Sequence, residues 1–145
     1  MDAPNDRPSV FWESPLYSLS GYATLSRSFI LGLRDAGIQI QAHPVYRDEK
    51  CAISQGLRKE IESLGSPSRK KEFYICSHVP TLHNGENCFA LLRRKNPGFS
   101  YYIGYTMFET DRIPDQWAMA CDSMDEIWVP SHFNYETFSR GGVPP

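Results

Sequence analysis

Hydrophobic and polar positions along the chain alternate between short apolar runs and amphipathic stretches. Ser9-Val-Phe-Trp-Glu13 is a run of strand-favouring residues, and the Ser- and Pro-containing stretch after it ends at Gly21. From Tyr22 to Ala36, Leu25, Phe29, Ile30 and Leu33 recur at helical spacing, with Gly37 where a helix-terminating glycine belongs. Ile38 to Ala42 alternates as a second strand, Pro44 to Ala52 reads as loop, and Leu57, Ile61 and Leu64 predict a helix ended by Gly65 and Pro67. Glu72 to His78 predicts a third strand around Phe73-Tyr-Ile-Cys76. A loop at Asn84-Gly85 and a helical turn over Asn87 to Arg94 follow, and then a strand over Tyr101 to Thr106.

Pro114 suits the first turn of a helix that carries Asp115 near its positive end and Trp117, Ala120 and Cys121 for packing. Glu126 to Pro130 predicts the last strand. Ser131 stands at the N-cap of a final helix bearing Phe133, Tyr135 and Phe138 and ended by Gly141-Gly142. Strands alternating with helices at this spacing predict an α/β fold, a Rossmann-like parallel sheet flanked by helices. Trp12, Trp117 and Trp128, each inside such an element, are expected in the core.

Length changes the picture little: 145 residues, 41% of them hydrophobic, suffice for one core, so a polar segment over 1–8 and one domain over 9–145 are expected. Charge changes it more. A net charge of -2 with mixed signs gives no basic groove, so nucleic acid is not an expected partner. The first residues lack the pattern of a secretory signal and no apolar run reaches transmembrane length, which places the chain in the cytoplasm, with peripheral membrane attachment left open. Cys51, Cys76, Cys88 and Cys121 form no CxxC pair and read as reduced thiols. Cys76, His78, His83 and Cys88 match no zinc spacing, and no metal is expected.

Open parallel sheets bind ligands beyond the carboxyl ends of their strands, and three strand-to-helix loops there carry candidate chemistry. In the first, Ser20, Gly21 and Tyr22 open a helix whose free N–H groups suit an anion; an ordinary glycine turn capped by Ser20 is the alternative. The second places Glu109 and Asp111 just past a strand, as binders of sugar hydroxyls or as acid and base, or else as a solvated acidic loop. The third has Ser131 as a helix cap whose N-terminus could also receive a phosphate, with His132 at the rim. No GxGxxG fingerprint and no GxSxG elbow is present.

Taken in order, these loops resemble a family. Glu13-Ser-Pro with Ser20-Gly-Tyr-Ala-Thr-Leu-Ser-Arg27 looks like the first strand, loop and helix of family 4 glycosyltransferases. Tyr105-Thr-Met-Phe-Glu-Thr-Asp-Arg-Ile-Pro-Asp-Gln-Trp117 and Asp125-Glu-Ile-Trp-Val-Pro-Ser-His-Phe-Asn134 resemble a subgroup of it, and the resemblance spans Val10 to Val143. It implies the amino-terminal, acceptor-side half of a GT-B enzyme, cut off before the donor domain. Such an enzyme takes a nucleotide sugar as substrate, passes the sugar to a glycan or other acceptor with retention, and needs no cofactor or catalytic metal.

Gly21 matches the glycine that approaches the donor diphosphate. Many members carry a histidine after the fourth strand where this chain reads Met107-Phe-Glu109, so the role of Glu109 is an extrapolation. The implied partners are a separate donor domain or a second copy of the chain, and by itself the chain is expected to lack a complete active site. A stand-alone sugar- or protein-binding module is the alternative. A flavodoxin-like regulatory domain is disfavoured by the missing acidic cluster after the first strand.

Overall fold

In a computed structural model describing residues 7–46, 52–66 and 70–145, the apolar runs form strands and the amphipathic stretches form helices. In chain order these are β1 (Ser9–Ser14), α1 (Gly21–Asp35), β2 (Gln39–Pro44), α2 (Gln55–Glu62), β3 (Phe73–Ser77), α3 (Cys88–Lys95), β4 (Tyr101–Tyr105), α4 (Asp115–Cys121), β5 (Glu126–Trp128) and α5 (His132–Arg140). The five strands make one parallel sheet in the order β2-β1-β3-β4-β5, flanked by helices, which is the expected Rossmann-like arrangement. Most of segment 1–8, Pro67, Cys51 and most of the loop after β2 lie outside the described residues. Among the described residues no helix is long and apolar enough to cross a membrane.

Contacts divide the chain into two compact units, Met1–Ile75 and Cys76–Pro145. In the first, β1 and β2 pair in parallel with Phe11 opposite Gln41 and Glu13 opposite His43. The period of two sends Trp12 to the other face, where it is fully buried and stacks on Phe29 with ring centroids 5.6 Å apart. Ala23 and Ile30 of α1 are fully buried. The helix stops in a Schellman motif: Ile38 N–H donates to Leu33 O, Gly37 N–H donates to Arg34 O, and Gly37 takes a φ of 84°. Of the apolar face that spacing predicts on α1, only Ile30 is buried. Ser26 and Arg27 are buried while Leu25 and Leu33 are half-buried and Phe29 is 41% exposed, because both polar side chains bond to the β1 end and the loop behind it.

In the second unit Phe89, Leu92, Tyr102, Ile103, Cys121 and Phe138 are buried. Gly104 is required there, since a Cβ would stand 2.7 Å from Phe89 Cε2 and 2.9 Å from Ile127 Cδ1. The helical turn after Asn87 is a full helix capped by that residue, whose Oδ1 accepts from Ala90 N–H at 2.9 Å. Pro114 is not in the first turn of α4: its ψ of 144° is extended, so it occupies the N-cap position and the helix starts at Asp115. Trp117 and Trp128 are half-buried rather than core, Trp128 turning its Nε1 outward to Glu126 Oε1 at 2.8 Å. On α5 only Phe138 of the three aromatics is buried; Phe133 and Tyr135 are each 46% exposed.

Candidate functional site

The loop from β1 to α1 is a braced structure. Leu16 and Tyr17 are buried within it, and Arg27 reaches back from the helix to hold it, donating from Nη1 to Leu16 O at 2.9 Å and to Ser18 O at 2.8 Å. A third bond joins Nη2 to Thr24 Oγ1 at 3.1 Å, and no carboxylate forms an ion pair with this guanidinium among the described residues. Burial lowers its pKa from the ordinary guanidinium value, while arginine stays charged in any protein setting. Ser26 Oγ donates to Ser14 Oγ at 2.8 Å, tying the helix to the strand end.

Ser20 is the N-cap, its Oγ accepting from Ala23 N–H at 3.2 Å and contacting Ser18 Oγ at 2.8 Å. Gly21 is the first helical residue, exposed, and a Cβ built on it would meet nothing within 4 Å. Its φ is not positive, so neither packing nor backbone conformation demands glycine there. Tyr22 follows, half-buried. Ser20, Gly21 and Tyr22 thus sit together at one helix N-terminus.

Sequence reading gave no chemical role to a second group in the same unit. Glu13, 5% exposed, accepts a hydrogen bond from Tyr74 Oη and lies 3.1 Å from His43 Nδ1, and Phe11 stacks on both His43 and Tyr74. The signal was the strand register, which makes Glu13 and His43 neighbours on one face once β1 and β2 pair in parallel. A carboxylate partner favours the proton on Nδ1 and leaves Nε2 as the acceptor of the ring. His43 lines a cavity of about 320 Å³ with Tyr17, Arg58 and Glu62; Arg58 lies over the Tyr17 ring at 5.0 Å and pairs with Glu62 at 2.7 Å. An imidazole oriented in this way can bind, or take a proton from, a hydroxyl group.

In the second unit the loop after β4 is pinned by Asn134, which is 5% exposed. Its Oδ1 accepts from Phe108 N–H at 3.1 Å and its Nδ2 donates to Phe108 O at 2.9 Å, while Phe108 meets Trp117 edge-on at 4.7 Å. Glu109 and Asp111 follow this fixed point, both exposed, and neither joins an ion pair among the described residues. Asp111 borders a cavity that also includes Arg112, Asp115 and Arg140, and Glu109 is not in the wall of that cavity. Ser131 caps α5, its Oγ accepting from Asn134 N–H at 3.2 Å, which is the structural role expected of it; His132 is exposed and 3.3 Å from Glu136.

Cys76, Cys88 and Cys121 are buried and form no disulfide among the described residues, and burial, with Asp122 adding, pushes the Cys121 thiol up to about 12. His78 Nδ1 lies 3.4 Å from Cys88 Sγ, and no group of three or more metal-ligating side chains gathers among the described residues. Set beside family models, curated proteins and solved structures, the chain finds no match in any of the three.

Proposed function

We propose that this chain is the acceptor-side Rossmann-like domain of a family 4 glycosyltransferase of the GT-B type, acting with a donor domain that grips a nucleotide sugar. One observation carries the reading. Gly21 is glycine at a place where the fold gains nothing from glycine, at the exposed start of a helix whose positive dipole end favours an anion. A diphosphate approaching that backbone supplies the missing reason, because a side chain at 21 would stand in its way. Arg27 supports the same role by holding the loop to its helix through two carbonyls.

In this reading Ser20, Gly21 and Tyr22 contact the donor phosphates, and a leaving diphosphate is stabilised by backbone dipoles without a metal. In the other unit, taken by itself, Ser131 offers a helix N-terminus to a phosphate, and Glu109 and Asp111 are the candidates to bind sugar hydroxyls or move a proton. His43, held by Glu13, presents Nε2 to an acceptor hydroxyl. The protein works in the cytoplasm or at a membrane surface, with its donor domain or a second copy as partner.

The test is turnover of nucleotide sugars by the chain alone and after addition of a separately expressed family 4 donor domain. The reading expects no turnover alone and transfer with a suitable complement. Sugar binding with no turnover in any combination would instead mark a stand-alone binding module.

A further inference from the structure

The start of α1 is electrostatically unbalanced. No acidic side chain stands in its first turn, where one would offset the positive end of the helix dipole. Arg27, 8% exposed, instead brings a full positive charge to that end. Its Nη2 donates to Thr24 Oγ1 at 3.1 Å and its Nη1 to Ser18 O at 2.8 Å, so the guanidinium lies beside the first turn, between helix and loop. Gly21 and Thr24 are separated by only about 4.5 Å along the helix axis.

Carbonyl and hydroxyl oxygens satisfy N–H groups of this guanidinium without cancelling its charge. A buried carboxylate exists in the same unit, on the wrong side of the sheet. Trp12 stacks on Phe29 of α1 and Ser14 accepts from Ser26 of α1, so the alternation of β1 turns Glu13 to the opposite face, where Tyr74 and His43 engage it. Among the described residues no carboxylate pairs with Arg27. Buried charges are ordinarily paired, because desolvation without a counter-charge is costly. Bracing the loop does not call for the charge, since the two N–H groups of a neutral amide side chain also donate to two carbonyls.

We propose that Arg27 is the counter-charge of an anion bound at the start of α1, and that its field, added to its grip on the loop, selects a multiply charged phosphate-type ligand. The proposal rests on the reading of Gly21 as the position that faces a diphosphate. Attraction between Arg27 and an anion at Gly21 passes through protein over less than a Debye length, so salt screens it little. It grows with ligand charge, which ranks pyrophosphate above phosphate and phosphate above acetate.

Calorimetric titrations of these three anions into wild type, Arg27→Lys and Arg27→Met test it. Both variants lose the fork that holds two carbonyls, and only Arg27→Lys keeps the charge. Arg27→Met should weaken pyrophosphate binding roughly tenfold to thirtyfold and narrow its preference over phosphate, while Arg27→Lys stays within roughly threefold of wild type. A purely structural role would weaken both variants alike and leave the ratio between anions unchanged. NMR of the arginine side chains in wild type gives a readout that does not depend on the variants folding: the Arg27 Nε–H and Cζ resonances should shift saturably with pyrophosphate while those of Arg34 and Arg93 stay in place. Equal weakening in the two variants, or unmoved Arg27 resonances at saturating pyrophosphate, would overturn the proposal and leave the Gly21 reading standing. No pyrophosphate binding to wild type would overturn both.

Discussion

Replacing Asn134 by alanine removes both hydrogen bonds that fix the loop after β4. Phe108 N–H, bonded at 3.1 Å, and Phe108 O, bonded at 2.9 Å, lose their partner together. A stranded polar group costs about 1–3 kcal/mol. Both bonds are part-buried, so the low end applies to each, giving about 2 kcal/mol in all. In a chain of this length that lowers the melting temperature by roughly 4–8 °C. Asn134→Asp retains an acceptor for the N–H but places a carboxylate oxygen against Phe108 O, so it recovers at most one of the two bonds. Urea unfolding should rank the proteins as wild type, then Asp, then Ala, with an unchanged slope. Equal stability of wild type and Asn134→Ala would refute the view that this side chain pins the loop.

Other expectations rest on single sites. Gly21→Ala should stabilise the free protein by about 0.4–1 kcal/mol, since its Cβ enters open space in a helix, and thermal unfolding would reveal a loss instead if the loop itself required glycine. Tyr74→Phe should cost about 1.5–3 kcal/mol by removing a hydrogen bond to the buried Glu13 carboxylate, read from denaturant midpoints. The Cys121 thiol keeps its proton in the folded state up to about 12 against an ordinary value of 9.0, so the folded chain holds more protons than the unfolded one between these values. Stability should therefore be unaffected by this group below that window and fall through it by up to about 1.4 kcal/mol per pH unit; Cys121→Ala should lose that part of the slope.

Local chemistry was readable where it depends on neighbours in sequence. Gly37 and Gly142 both end helices at positive φ, and Ser20 and Ser131 both cap them, because turn and cap geometry is set within a few residues. The alternation of strands and helices predicted the parallel sheet because a crossover helix returns the chain to run in the same direction. Of the four positions that helical spacing nominated on α1, Ile30 is buried but Leu25, Phe29 and Leu33 are not, because burial of Ser26 and Arg27 answers to the loop they hold and not to hydrophobicity. Glu13 and His43 are 30 residues apart and meet only through strand register, which apolar alternation leaves open by any even shift. Asn134 looked like an ordinary helix residue; its importance lies in a backbone segment 26 residues away.

The central claim is that a diphosphate lies against the start of α1. The measurement is an amide NMR titration of the chain with inorganic pyrophosphate, alongside Gly21→Val. Saturable shifts at Gly21, Tyr22 and Ala23, weakened in the variant while its fold is retained, are the predicted result. Absence of shifts at these three amides, or equal affinity in Gly21→Val, would contradict the account.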